Sequence, residues 1–117
     1  YLPTYIHRDR QTAVEAMRPL TARYLGLHGA NSLTLSAGLK AEETEPFRKA
    51  FLRGETARLP VSDHMVDTLV VAGDPDYCRR RIQAYRDAGV DMPVIFEAMG
   101  ACSPAESLEM AEACLMD

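Results

Sequence analysis

The chain has 117 residues, of which 47% are hydrophobic, and its formal net charge at pH 7 is −4. This length supplies one hydrophobic core of ordinary size, so we predict a single domain spanning residues 1–117. The negative charge argues against a nucleic-acid backbone as a partner. No apolar stretch approaches the ~20 residues that a membrane span requires, so no membrane partner is predicted.

Cysteine and histidine are too sparse to predict a disulfide framework or a metal site. The cysteines lie at long spacings without a C-x-x-C pair, which favours a reducing compartment and hence the cytoplasm. We interpret Cys78 as a small core residue, because the carboxylates of Asp74 and Asp76 would oppose a thiolate there. No metal site is predicted, because the histidines are far apart in the sequence. They are His7, His28 and His64.

The first quarter of the chain predicts a strand followed by a long helix. The strand is expected from Pro3 to His7, and Asp9 is placed to cap the helix. Pro19 should kink this helix, because it removes one backbone hydrogen bond, and Gly26 is predicted to end it. The predicted apolar face of the helix recurs at helical spacing and consists of Ala13, Met17, Leu20 and Tyr24.

The middle of the chain predicts a loop and two shorter helices. Residues 26–40 are rich in glycine and serine, which is typical of a loop. A helix is expected from Glu42 to Arg53. Ser62 is placed to cap one further turn, in which Met65 and Val66 face inward.

Residues 68–96 encode a strand–helix–strand unit. Residues 68–72 form an apolar, β-branched run that is typical of a strand covered on both faces, and Gly73 is predicted to stop it. Asp74 suits the N-cap, because its carboxylate can accept a free helix-terminal N–H. Pro75 suits the first helical position, where no amide proton is needed.

The helix of this unit leads into a second strand. Its predicted apolar face consists of Cys78, Ile82 and Tyr85. Gly89 supplies the C-terminal stop, since glycine readily adopts a positive φ. Residues 94–96 form the second apolar run. A helix between two such strands predicts that they pair in parallel, with a right-handed crossover.

The C-terminal residues predict one more helix. A capping box with proline at the first helical position runs from Ser103 to Glu106. The apolar residues expected along this helix are Leu108, Ala111 and Leu115. Strands alternating with helices indicate an α/β fold with a parallel sheet. Three parallel strands leave two open edges, so we predict that the chain forms a homo-oligomer.

One ordered series of motifs goes beyond the fold class. An apolar strand leads into Ala72-Gly73-Asp74-Pro75, and the helix ends in Ala88-Gly89-Val90-Asp91 before the strand Pro93-Val94-Ile95-Phe96. This order resembles the C-terminal part of the bacterial luciferase-like superfamily of flavin- and deazaflavin-dependent oxidoreductases. Members commonly carry A-G-x-P, an amphipathic helix, A-G-[VL]-D and a final apolar strand. Residues 16–24, 46–54 and 61–67 also look like segments of this family.

The resemblance implies a partial (β/α)₈ TIM barrel, of which this chain supplies the last three parallel strands with their covering helices. A complete barrel needs ~250 residues. The implied protein is therefore the C-terminal portion of a longer oxidoreductase or monooxygenase, and it is expected to be inactive alone. FMN or the deazaflavin coenzyme (factor 420) would be the cofactor of the parent protein, which would act on a small-molecule substrate.

Site residues follow from the rule that barrel chemistry lies at the carboxyl ends of the strands. His7 is a candidate for contact with the cofactor, although an exposed loop histidine is an equally good interpretation. Gly73 could admit the cofactor close to the backbone, but simple turn geometry explains it better. Asp74 is a further cofactor-binding candidate, although a helix cap is the stronger interpretation. Glu97 is the acid/base candidate.

Two other functions stay open at this point. The chain could be a non-catalytic α/β association module that oligomerises through its open strand edges. It could also be a small phosphate-binding domain that uses the turn at Gly73 and the positive end of the following helix.

Overall fold

A computed structural model describes residues 1–29, 31–55 and 59–97, together with residues 105, 106, 108, 109 and 112. These residues fall into two compact units. The first contains residues 1–17 and 70–117, and the second contains residues 18–69. No helix among the described residues is long and apolar enough to cross a membrane.

In residues 1–97, where the structure describes them, four helices follow the first strand, and a second strand, a fifth helix and a third strand come after them. These elements are β1 (Leu2–Ile6), α1 (Arg10–His28), α2 (Ser32–Ser36), α3 (Ala41–Leu52), α4 (Asp63–Leu69), β2 (Val71–Gly73), α5 (Pro75–Asp87) and β3 (Ile95–Glu97). The predicted α/β class with a parallel sheet is confirmed.

The sheet has the strand order β2-β1-β3, with both pairings parallel. Thr4 lies opposite Val71 on one side of β1, and Leu2 lies opposite Ile95 on the other. The prediction that the strands flanking α5 are direct neighbours is therefore wrong, because β1 lies between them. That order also differs from three successive barrel strands, in which β2 would be central.

Pro3 is tolerated in the central strand because of its position. In β1 the alternate residues direct their N–H groups to opposite neighbours. Leu2 donates to the Val94 carbonyl at 2.7 Å, and His7 donates to the Gly73 carbonyl at 2.9 Å. Pro3 shares the direction of His7, toward β2, but it lies before the point at which β2 begins. Its missing amide proton therefore costs no sheet hydrogen bond.

The core of the first unit lies between the sheet and α5. Ile6, Val71, Cys78 and Ile82 are buried together, and half-buried apolar side chains pack around them. The interpretation of Cys78 as a core residue is confirmed, since its side chain is fully buried. This packing fixes α5 against β1 and β2, and it therefore fixes the loops at the carboxyl ends of those strands.

The structure confirms the predicted caps at both ends of α5. The carboxylate of Asp74 accepts the N–H of Tyr77 at 2.8 Å, and Pro75 is the first helical residue. At the other end Gly89 has a φ of +104°. Its N–H bonds to the Arg86 carbonyl, while the N–H of Val90 bonds to the Tyr85 carbonyl. These two bonds form a Schellman motif, which requires the positive φ that glycine supplies.

Helix α1 differs from its predicted boundary and face. It begins after Asp9 as expected, runs through Pro19, and ends at His28 rather than at Gly26. The turn to positive φ occurs at Gly29, where φ is +41°. Ala13 and Met17 are buried as predicted, but Leu20 and Tyr24 are only half-buried. The buried stripe continues instead through Thr21 and Leu25, four and eight residues after Met17.

Gly26 has a packing role within the second unit. A Cβ at this position would lie 2.6 Å from the Cβ of Phe51, so the absence of a side chain permits α1 and α3 to approach closely. The prediction that Gly26 ends the helix is wrong, because a glycine required by helix–helix packing has no local signature in the sequence.

Three further boundaries were only partly predicted. Residues 26–40 contain the end of α1 and the short α2, so the predicted loop is wrong for those residues. The strand predicted for residues 68–72 begins only at Val71, because α4 continues through Thr68 and Leu69. The predicted cap by Ser62 is confirmed, since its Oγ accepts the N–H of Met65 at 3.2 Å. That cap starts a helix of two turns, where one turn was expected.

The last predicted helix is described in part. Residues 105, 106, 108, 109 and 112 are helical, and Leu108 is exposed. The predicted cap at Ser103, together with Ala111 and Leu115, lies outside the described residues.

Candidate functional site

The candidate site is the edge of the sheet where β1 and β2 end. The His7 N–H donates to the Gly73 carbonyl across 2.9 Å, so His7 and Gly73 are held side by side, with Asp74 following directly. Three of the four predicted site residues are thus brought together. In parallel α/β sheets, ligands bind outside the carboxyl ends of the strands.

The strand order adds a second reason to consider this edge. The chain passes from β1 to β2 on one side, and it then returns across β1 to β3 on the other. Such a reversal of strand order creates a crevice beside the first strand at its carboxyl end. His7 follows the last residue of β1, at the position where this rule would place a ligand.

His7 is exposed, and its ring takes part in a defined hydrogen bond. The backbone N–H of Asp9 donates to Nδ1 of His7 at 3.0 Å. Because an accepting nitrogen carries no proton, the neutral ring bears its proton on Nε2. The neighbouring Arg8 is also exposed. The edge therefore offers an imidazole N–H donor and a guanidinium.

Asp9 completes the turn that starts α1. Its carboxylate accepts the Thr12 hydroxyl at 2.6 Å and the Gln11 N–H at 3.3 Å. The hydrogen bond from Thr12 makes the largest contribution to lowering the pKa of Asp9 below its ordinary value, and the nearby His7 acts in the same direction. Asp9 therefore keeps its negative charge to lower pH than a free aspartate does.

Gly73 has a structural neighbour that accounts for the absence of a side chain. Gly73 is not among the glycines with a positive φ, so turn geometry does not require it. A Cβ there would meet Cδ1 of Tyr77 at 2.5 Å. The guanidinium of Arg10 lies over the same ring, 4.5 Å from its centroid. The space beside Gly73 is therefore filled by Tyr77, and contact with a cofactor at this residue stays a prediction.

Replacing Gly73 with alanine should lower the free energy of unfolding by about 1–2 kcal/mol, because the new methyl group must displace the Tyr77 ring. Urea unfolding of the ligand-free chain measures this loss. In a Tyr77→Ala background the same substitution should cost little, since the clash is gone. An equal loss in both backgrounds would show that Tyr77 is not the reason for the glycine.

The positions of Asp74 and Glu97 differ from that of His7. The Asp74 carboxylate is already engaged as the cap of α5, so its position favours the capping interpretation. Glu97 ends β3, and its backbone lies opposite Thr4, three residues before His7 along the central strand. At ~3.3 Å per residue this offset is ~10 Å along the strand direction. The acid/base role of Glu97 stays a prediction.

The described residues offer no cluster of side chains suited to a metal ion. No group of three or more His, Cys, Asp or Glu side chains within those residues could hold a metal ion. The carboxylate of Asp63 forms an ion pair with Arg18. Arg18 also donates to the Val61 carbonyl at 2.5 Å, so this interaction fixes the segment that precedes α4.

Comparison with known proteins adds one relative. The chain is 30% identical over 96 residues to a Mycobacterium tuberculosis protein named "Putative coenzyme F420-dependent oxidoreductase". The alignment covers 74% of this chain but only 27% of that protein, so the chain spans about a quarter of its relative's length. No protein-family model matches the chain. No solved structure matches it either.

The name of this relative agrees with the class of enzyme that the motif series resembles. The resemblance drawn from the A-G-x-P and A-G-[VL]-D motifs implied a flavin- or deazaflavin-dependent oxidoreductase, and the relative's name specifies a deazaflavin coenzyme. The similarity therefore relates the chain to a protein that is named as an oxidoreductase.

Proposed function

We propose that the chain is the C-terminal portion of a deazaflavin-dependent oxidoreductase of the luciferase-like superfamily. The observation that carries this proposal is the 30% identity over 96 residues to a protein named for that coenzyme. The parallel sheet, with its candidate residues at one carboxyl edge, agrees with such an enzyme. FMN, the other cofactor that the motifs implied, has no support from the relative.

The proposal includes a (β/α)₈ barrel in the longer protein. The parallel pairing of β1 with β2 is the pairing that two successive barrel strands make. In the barrel, β3 would instead pair with the free edge of β2, and an upstream strand would occupy the edge of β1 that β3 takes here. A short β3 of three residues can exchange one edge for the other, because few hydrogen bonds hold it.

The residues at the carboxyl edge fit an anionic, planar coenzyme in part. His7 and Arg8 fit, since an N–H donor and a positive charge both suit ligand oxygens. Asp74 does not fit as an anion ligand, because its own carboxylate occupies the N-terminus of α5. That occupancy also weighs against the phosphate-binding domain considered from the sequence.

When bound, the deazaflavin supplies the hydride chemistry. The part of this chain is to orient the ring and to keep water away from it. His7 would hold an oxygen of the ligand through Nε2–H, and Arg8 would balance its charge. Gly73 and Tyr77 would support the loop on which those contacts depend. Glu97 remains the proposed acid/base residue at the end of β3.

Titration with the oxidised deazaflavin coenzyme, followed by its fluorescence, tests this proposal. We expect saturable binding by a protein that extends this chain upstream to the length of its relative, and weaker binding or none by residues 1–117 alone. FMN under the same conditions is the comparison. The proposal fails if the extended protein binds FMN but not the deazaflavin, or binds neither.

Self-association of the chain is the second candidate function, and β3 favours it. This strand is at the edge of the sheet. Phe96 within it and Val94 just before it are each 37% exposed, and Met92 is 80% exposed. Apolar side chains along an open strand edge favour pairing with another strand, for which a second copy of this chain is the proposed partner.

We expect sedimentation velocity to show concentration-dependent dimers of the 117-residue chain. Phe96→Lys should shift the chain to monomer, because a charge would be buried at the joined edge. Leu52→Lys makes the matched change from an apolar residue to lysine at another exposed position and should leave dimerisation as it is. A monomer at all concentrations, before any substitution, would contradict the association module.

A further inference from the structure

The ring of His7 is fixed from two directions. Its backbone N–H is bonded to the Gly73 carbonyl at 2.9 Å, which holds the residue at the end of β1. Its Nδ1 accepts the Asp9 N–H at 3.0 Å, which holds the ring against the turn that starts α1. The ring thus takes the place that an Asn or Asp side chain has in an Asx-turn, where an acceptor at residue i binds the N–H of residue i+2.

The direction of the Asp9 N–H depends in turn on the helix cap. The Asp9 carboxylate is held by the Thr12 hydroxyl at 2.6 Å and by the Gln11 N–H at 3.3 Å. The Asp9 carbonyl accepts the Ala13 N–H at 3.3 Å. These three bonds set the backbone at residue 9, so they set the line along which its N–H meets His7.

We propose that Asp9 and Thr12 are positioning residues that hold His7 as the Nε2–H tautomer, and that this N–H binds an anionic oxygen of a ligand at the carboxyl edge. With Nδ1 engaged, Nε2 is the ring nitrogen left to meet a ligand. Arg8 is exposed in the next position, and its guanidinium favours a negatively charged oxygen over a neutral one.

This inference deepens the proposed function and depends on it for the identity of the ligand. The position of the His7 ring does not depend on it, because the bonds that fix the ring are all within the chain. The two parts can therefore be tested by separate measurements on the same variants.

The first measurement is NMR of the ligand-free chain, with exchange of the Asp9 amide proton and the ¹⁵N shifts of the His7 ring as readouts. We expect a protected Asp9 amide and a single ring tautomer protonated on Nε2. Thr12→Val should speed exchange of the Asp9 amide and allow the second tautomer to appear. The exposed His64 is the internal control, and its ring shifts should not change. An unprotected Asp9 amide, or a ring protonated on Nδ1, would overturn the positioning role.

The second measurement is affinity for the oxidised deazaflavin coenzyme in the extended protein. His7→Asn keeps a side-chain acceptor for the Asp9 N–H but lacks Nε2–H, so Asp9 should stay protected while affinity falls about tenfold. His7→Phe should lose both the protection of the Asp9 amide and the affinity for the coenzyme. Equal affinity of His7→Asn and the unmodified protein would overturn the ligand contact while leaving the proposed function intact. No binding by the unmodified protein would overturn the proposed function and the ligand contact together, and the NMR result would still decide the positioning role.

Discussion

Replacing Ile82 with alanine should lower the free energy of unfolding by about 2–4 kcal/mol. Ile82 is 4% exposed and is buried with Ile6, Val71 and Cys78 between α5 and the sheet. The loss combines the transfer free energy of the removed methyl and methylene groups with the cavity that they leave, since the strands beneath cannot collapse freely.

Chemical unfolding monitored by circular dichroism measures this effect, with Arg80→Ala as the matched control. Arg80 is exposed on the same helix, and alanine is a good helix former, so the control should change stability by less than about 0.5 kcal/mol. If Ile82→Ala cost no more than Arg80→Ala, α5 would not be packed on the sheet as described. The loops of the candidate site would then lack their support.

Replacing Gly26 with alanine should lower the free energy of unfolding by about 2–3 kcal/mol, although alanine is the better helix former. Within an exposed helix this substitution would raise stability by ~1 kcal/mol. Here the added Cβ meets the Cβ of Phe51 at 2.6 Å and two of its ring carbons at 3.0 Å. A Cβ cannot move aside by a rotamer change, so α1 and α3 would have to separate.

A double-mutant cycle with Phe51→Ala separates packing from propensity. The Phe51→Ala chain keeps a Cβ but loses the ring, so part of the cost of Gly26→Ala should be relieved. Thermal unfolding of the four chains gives the coupling. A stabilising effect of Gly26→Ala in the original sequence would contradict the close approach of α1 and α3.

Local signals in the sequence predicted the parts of the fold that are local in origin. Asp74 and Pro75 mark the start of α5, and Gly89 marks its end, because each acts on backbone groups within one turn of itself. The same holds for the Ser62 cap. Cys78 and Ile82 were predicted to be buried because helical spacing places them on one face.

Features that depend on distant partners were not predicted. The apolar run at residues 68–72 is compatible with both helix and strand. Helix α4, which starts after the cap at Ser62, continues through Thr68 and Leu69, the first two residues of that run. No local pattern shows that β1 is the central strand, since a choice between two edges depends on pairing energies across the sheet. The role of Gly26 depends on Phe51, which lies 25 positions later in the sequence.

The candidate site was predicted in place but not in detail. The strand-end rule brought His7, Gly73 and Asp74 together, as the structure does. It did not identify Tyr77, which fills the space beside Gly73, or Asp9, which fixes the ring of His7. A histidine two residues before an N-cap aspartate is the signal that could have indicated the second contact, because that spacing matches an Asx-turn.

Amide hydrogen exchange, read by mass spectrometry on the extended protein with and without the oxidised deazaflavin coenzyme, shows whether the coenzyme binds at the carboxyl edge of the sheet. We expect slower exchange on binding in peptides that cover residues 6–10 and 72–77, the carboxyl ends of β1 and β2. Bound coenzyme that protects other segments and leaves both of these peptides unchanged would contradict binding at this edge.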